Sequence, residues 1–253
     1  MNRPTSGPLD AERRRLAAKA WLLDEGAAGT SGAPGASALP GATRVKLCGM
    51  SRPQDVDAAC AAGPDFCGFV VDFPKSHRSL APAQLSLLTM RLGMMEGAAG
   101  LDHPLWRVGV FVDKPTQDIV DIVCRCDLDL VQLHGHETAA DVRALRAALP
   151  GTGIIQAFRV STPEDVARAC ESPADMVLLD NGQGTGESFD WSLTARATRP
   201  FMLAGGLGPH NVAAAIAQVH PWGVDMSSGI ETDKVKDPTK MKAAVAAAKG
   251  ATL

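Results

Sequence analysis

Short apolar runs alternate with helix-type patterns along most of this chain, at intervals of about 25 residues, the rhythm of a repeated strand–helix unit. The runs fall at 44–48, 65–71, 107–112, 128–133, 153–158, 176–180, 200–204 and 223–226. They are rich in Val, Ile, Leu and Phe, as strands buried on both faces of a parallel sheet require. Helix-start signals stand between them: Pro53 at a first helical position, then Pro82, Pro115, Thr138, Pro163 and Pro209. Eight such units in about 210 residues predict an α/β fold, a single (β/α)8 TIM barrel. A doubly wound open sheet is the competitor, but no early Gly-x-Gly-x-x-Gly turn marks a dinucleotide site. Gly93 to Leu105, rich in Gly and Met, reads as a loop before the third strand.

Residues 1–43 follow a different rule and form an N-terminal extension to the barrel of residues 44–253. Asp10 to Glu25 fits a short amphipathic helix with Leu16, Trp21, Leu22 and Leu23 as its apolar members. Gly26 to Gly41 is almost all Gly, Ala, Ser, Thr and Pro, a composition that cannot bury a core and predicts a flexible linker. Arg13, Arg14 and Arg15 are basic, as in a transit peptide, but Asp10, Glu12, Asp24 and Glu25 are unusual for that class. The expectation is a helix docked on the barrel's outer surface, dispensable for folding and activity.

Composition narrows the function. The chain has 253 residues, 45% of them hydrophobic, and a net charge of −3. No broad basic field recruits nucleic acid or an acidic membrane surface. No apolar run approaches the roughly 20 residues that span a bilayer. Six cysteines without a secretory apolar region point to free thiols in a reducing compartment, hence a cytoplasmic protein. Cys124-Arg125-Cys126 lacks the spacing of a zinc site, so no metal is expected.

Chemistry is expected at the C-terminal ends of the strands, where a parallel barrel gathers its loops. Cys48 closes the first strand and Asp180 the sixth. A cysteine is commonly a small buried hydrophobe, and Cys60, Cys67, Cys124, Cys126 and Cys170 are expected to be that. Cys48 differs by position, at the mouth before Gly49. Lys46 shares its side of the strand and is placed to lower the thiol's pKa toward that of a usable base. Asp180 follows Leu178 and Leu179, and apolar surroundings would raise its pKa and keep it partly protonated, as a general acid requires. Alone it reads equally well as a cap on the next helix. Arg78 suits a substrate carboxylate, although a loop arginine is more often a solvated charge. Gln132 and His134 read as polar groups at the mouth that contact substrate. His134 and His136 without a third ligand argue poorly for metal.

Glycine-rich turns follow the last three strands: Gly182 to Gly186, Gly205-Gly206, and Ser227-Ser228-Gly229. Backbone N–H groups beside small residues can approach an anion closely. The loops after strands seven and eight are the usual phosphate cradle of such barrels. Gly184, Gly186, Gly205, Gly206, Ser227, Ser228 and Gly229 are therefore candidates to bind phosphate.

Read in order, these segments resemble the phosphoribosylanthranilate isomerases of tryptophan biosynthesis. The matching stretches are Val45 to Met50, Gly68 to Val70 with Ser76 to Arg78, Val108 to Val112, and Val131 to Gly135. They continue through Leu178 to Asp180 with Gly184 to Gly186 and Phe189 to Trp191, Leu203 to Leu207, Gly223 to Gly229, and Lys236-Asp237. The resemblance covers about residues 44–248. It implies a cofactor-free Amadori rearrangement of N-(5-phosphoribosyl)anthranilate, with Cys48 as general base and Asp180 as general acid. It also implies that Arg78 holds the anthranilate carboxylate and that the late glycine loops hold phosphate. The partner implied is this small molecule, taken up by a monomer or homodimer. Two positions depart from the family's pattern. His77 stands where proline is usual, and Asp233-Lys234-Val235 lacks the glycine often found before the lysine.

A related histidine-pathway or dual-substrate isomerase is the nearest rival, but that family resembles a barrel with aspartate where this chain has Cys48. A non-catalytic barrel that binds phosphoribosyl ligands is the other alternative, and it has no use for an acid–base pair.

Overall fold

A computed structural model describes residues 8–23, 43–99, 104–180 and 191–251 of the chain. Among the described residues eight parallel strands form the barrel: β1 (Arg44–Cys48), β2 (Phe66–Val71), β3 (Trp106–Phe111), β4 (Leu130–Leu133), β5 (Gly153–Arg159), β6 (Met176–Asp180), β7 (Phe201–Ala204) and β8 (Gly223–Met226), and the short strand Ser79–Leu80 pairs with β2 beside them. Each barrel strand pairs with the next, and β1 pairs with β8 as well as β2, which closes the barrel. The closing register sets Lys46 opposite Asp225 on one side and Cys48 opposite Gly68 on the other.

The helices are α1 (Pro8–Leu22), α2 (Pro53–Ala62), α3 (Pro82–Ala99), α4 (Thr116–Arg125), α5 (Ala139–Ala148), α6 (Pro163–Cys170), α7 (Val212–Val219) and α8 (Pro238–Lys249). Their starts are chemically marked. Proline opens α2, α3, α6 and α8, and the Thr138 and Asp237 side chains accept backbone N–H bonds ahead of α5 and α8. Between β6 and β7 the described residues Trp191–Arg196 form a 3-10 helix.

Alternation along each strand divides the core in two. Val45, Leu47, Cys67 and Phe69 face outward into the shell between barrel and helices. Phe66, Val108, Leu178 and Met202 point inward and fill the barrel itself. Where Gly93 to Leu105 reads as a loop, α3 continues through Ala99. Leu85, Leu88, Leu92 and Met95 keep a helical spacing against the core, and that periodicity outweighs the glycine. Residues 100–103 lie outside the described set. Cys60, Cys67 and Cys126 are buried, as expected of structural thiols, but Cys124 is exposed on α4 and Cys170 only partly covered.

α1 closes the end of the barrel where the strands start. Ala18 and Leu22 are buried within the same cluster as the inward-facing strand residues. Trp21 packs on Trp106 with ring centroids 6.5 Å apart, and the Arg44 guanidinium lies 4.1 Å from the Trp21 ring centroid. Arg14 reaches Asp129 at 2.8 Å and Glu96 at 3.0 Å. The helix therefore sits on the barrel floor, where strand starts leave an apolar opening, and reaches the outer shell only through the Arg14–Glu96 pair with α3.

Candidate active site

At the other end, the strands' last inward residues surround a cavity of about 250 Å³. Cys48 from β1, Asp180 from β6 and Asp225 from β8 line it together with Arg78 and His134. The half-sequence separation of Cys48 and Asp180 is thus erased by closure of the sheet.

Cys48 is buried beside the ion pair formed by Lys46 Nζ and Asp225 Oδ2 at 2.8 Å. Gly68, its register partner, leaves room for the thiol; a Cβ there would lie 2.8 Å from Sγ. Burial pushes the Cys48 thiol above its ordinary value, against the pull of Lys46, and the Asp225 charge adds to the rise. Lys46 does stand where the strand period places it and pulls the thiol down, but burial, aided by the Asp225 charge, outweighs that pull. Burial opposes the charge on Lys46 too, yet Asp225 and Cys48 together raise its pKa. Asp225 Oδ1 is buried with no hydrogen-bond donor among the described residues. It is an acceptor at the cavity wall suited to a ligand hydroxyl.

Asp180 ends β6 with its side chain 22% exposed, so it stands at the mouth beside His134 and is not sealed in apolar surface. His134 Nε2 lies 3.4 Å from Asp180 Oδ2, and Gln132 Nε2 lies 2.9 Å from His134 Nδ1. Gln132 itself is fully buried and does not line the cavity, so the expected direct contact with substrate falls to His134, which it touches.

Arg78 forms a third corner. Its stem crosses Gly49, whose φ of +83° and lack of a side chain make room, since a Cβ would collide with Arg78 Cδ. Its guanidinium grips Glu231, Nε to Oε1 at 2.6 Å and Nη2 to Oε2 at 2.7 Å. Lys236 Nζ also lies 2.7 Å from Glu231 Oε1. Burial pushes the Glu231 carboxyl up, but Arg78 and Lys236 outweigh it and hold the pKa at about 2. Sequence reasoning missed Glu231. Nothing in its local pattern separates it from a surface carboxylate, and only its register with Lys236 across a short hairpin reveals the pairing. Asp233 and Lys234 form the turn of that hairpin at φ +51° and +63°, so the left-handed turn is kept without glycine.

The late loops converge as well. Gly205, Gly206, Ser227 and Ser228 line the cavity. Ser227 Oγ donates to the Cys48 carbonyl at 3.1 Å, tying the last loop to the first strand. Gly229 instead packs against Leu207 and Gly208, letting the two loops touch. Gly184 and Gly186 lie outside the described residues. Among the described residues no group of three or more His, Cys, Asp or Glu side chains is arranged to hold a metal ion. Nor is any described helix long and apolar enough to cross a membrane.

Residues 45–247 match the family described as N-(5'-phosphoribosyl)anthranilate isomerase. The chain belongs to this family. A phosphoribosylanthranilate isomerase from Pseudomonas fluorescens is 40% identical over 211 residues, covering 80% of this chain and 93% of the relative. One from Desulforudis audaxviator is 37% identical over 218 residues, covering 83% and 99%. Among solved structures, the phosphoribosylanthranilate isomerase of Thermotoga maritima superposes with a TM-score of 0.71 at 34% identity, covering 82% of this chain and 99% of that one. A phosphoribosylanthranilate isomerase in complex with reduced 1-(o-carboxyphenylamino)-1-deoxyribulose 5-phosphate gives 0.68 at 34% identity over the same shares. The chain is thus an isomerase of tryptophan biosynthesis built on a TIM barrel. Helix α1 precedes the matched residues.

Proposed function

We propose that this cavity converts N-(5'-phosphoribosyl)anthranilate into 1-(o-carboxyphenylamino)-1-deoxyribulose 5-phosphate by an Amadori rearrangement. The observation that carries the reading is the convergence of Cys48 and Asp180 on one cavity rimmed by the glycine and serine loops after β7 and β8. A relative bound to the reduced form of that product supports the substrate class.

Asp180 gives its proton to the furanose ring oxygen as the C1–O bond breaks, and the nitrogen lone pair forms an iminium. The Cys48 thiolate takes the proton from C2, and those electrons neutralise the iminium to an enolamine. Tautomerisation returns a ketone, so the reaction is a net isomerisation and consumes nothing. Lys46 stabilises the thiolate as it forms, and the Asp225 Oδ1 acceptor suits a sugar hydroxyl. His134, held by Gln132, orients Asp180. Arg78 takes the anthranilate carboxylate, while Gly205, Gly206, Ser227 and Ser228 take the phosphate, joined in this reading by Gly184, Gly186 and Gly229. The setting is cytoplasmic, supported by six free cysteines, and the working unit is a monomer or homodimer that needs neither nucleic acid nor membrane.

The test is turnover of freshly generated phosphoribosylanthranilate, followed by loss of anthranilate-type fluorescence. Wild type should be active, and Cys48→Ser and Asp180→Asn should each lose at least about 10²-fold in kcat with little change in KM. An inactive wild type would favour a binding-only barrel. An active wild type with an unimpaired Cys48→Ser would require another base.

A further inference from the structure

Which edge of the Arg78 guanidinium is free decides how this cavity can recognise a carboxylate. An arginine offers a side edge, made by Nε–H and one Nη–H, and an end edge, made by one N–H from each terminal nitrogen. Glu231 occupies the side edge through both of its oxygens, at 2.6 Å and 2.7 Å. Arg78 lines the cavity, whereas Glu231 stands outside the lining with its side chain only 7% exposed. The end edge is what remains for a ligand.

Glu231 is itself anchored. It pairs with Lys236 across the short hairpin, and the Lys236 ammonium reaches both its carboxylate and the Ser227 carbonyl, at 2.7 Å and 2.9 Å. Ser227 in turn bonds the Cys48 carbonyl. The loop arginine is thereby referenced to the same strand end that carries the thiol. A long side chain held this way loses less freedom when it binds than one that must first be ordered.

We propose that Glu231 is a positioning residue for substrate recognition: by gripping the side edge of Arg78, it aims the end edge into the cavity toward the substrate's aryl carboxylate. This rests on the isomerase reading above. The opposite role would be a competitor that fills Arg78 until substrate displaces it. The two roles change KM in opposite directions.

Steady-state kinetics on phosphoribosylanthranilate with wild type, Glu231→Gln, Glu231→Asp, Arg78→Ala and the Arg78→Ala/Glu231→Gln double variant separate them. Glu231→Gln should raise KM about 10-fold while kcat falls less than about threefold, as loss of uniform binding does. The effect should vanish when Arg78 is already alanine. Glu231→Asp keeps the charge beside Lys236 but cannot span both Nε and Nη2, so it should remain impaired. Full recovery in Glu231→Asp would reduce Glu231 to charge neutralisation and overturn the proposal. So would an unchanged KM, a lowered KM, or an equal loss in the Arg78→Ala background. Thermal melts establish that each variant folds, and Glu231→Asp carries the test if Glu231→Gln does not. A wild type that fails to turn over phosphoribosylanthranilate overturns the isomerase reading and this inference with it. Turnover with an insensitive KM overturns this inference alone.

Discussion

Lys46 and Asp225 face each other across the seam that closes the barrel, Nζ to Oδ2 at 2.8 Å, 179 residues apart in sequence. Both side chains are almost wholly buried, at 0% and 7% exposed. Breaking such a pair from one side strands the other charge. Lys46→Met should therefore destabilise the fold by about 3–5 kcal/mol. Urea denaturation with an unchanged m-value is the check, and a loss under about 1 kcal/mol would mean water reaches Asp225.

The same pair governs the base. Burial raises the Cys48 thiol above its ordinary value of 9.0, and the active form is the thiolate. In the free enzyme the thiolate should therefore form only as pH climbs past 9.0. Asp225→Asn removes a negative charge beside the thiol and frees Lys46 to act on it, so the thiol should titrate at lower pH. Thiolate absorbance, with Cys48→Ser as the blank, reads the shift directly. A thiol that titrates no lower in the variant than in wild type would mean that Asp225 does not govern its pKa.

Helix α1 is expected to stabilise the barrel it plugs. Leu22→Ala would leave a cavity in the barrel floor and should cost about 2–5 kcal/mol. Removing residues 1–23 should lower Tm further while the site at the opposite end keeps its chemistry. A truncated chain with wild-type Tm would show that α1 contributes nothing to the fold.

Arg14 adds a pH signature to that contact. Burial raises the Asp129 carboxyl despite the opposing charges of Arg14 and Arg107. In Arg14→Ala that rise should grow. A carboxyl whose folded pKa exceeds its unfolded value of 3.8 binds more protons when folded, so it weakens stability as pH climbs from 3.8 toward the folded value. Relative to wild type, the variant's deficit should be large near neutrality and shrink on acidification. A deficit that does not change with pH would separate Asp129 from the effect.

The hairpin turn offers a small gain. Lys234 holds φ +63° with a full side chain, a conformation glycine adopts without steric cost. Lys234→Gly should raise stability by up to about 1 kcal/mol after glycine's own entropy is subtracted, visible as a modest rise in Tm. A fall would mean that the Lys234 side chain makes contacts worth more than the strain.

The apolar rhythm of the sequence was enough for the eight strands, their order and the placing of Cys48 and Asp180 at strand ends, because strand period and strand length are local properties of the chain. The late glycine and serine loops were legible for the same reason. Three things were decided by tertiary structure alone. Asp225 meets Lys46 through the closing register of β1 and β8, which no local pattern encodes, and closure also buries Cys48, so that burial with the Asp225 charge raises a thiol expected to be lowered. Glu231 reaches Arg78 only once the last loop folds over the first strand. Helix α1 finds the barrel floor because closure leaves an apolar opening between Trp106, Leu130 and Trp222, a surface that exists only after the strands have met.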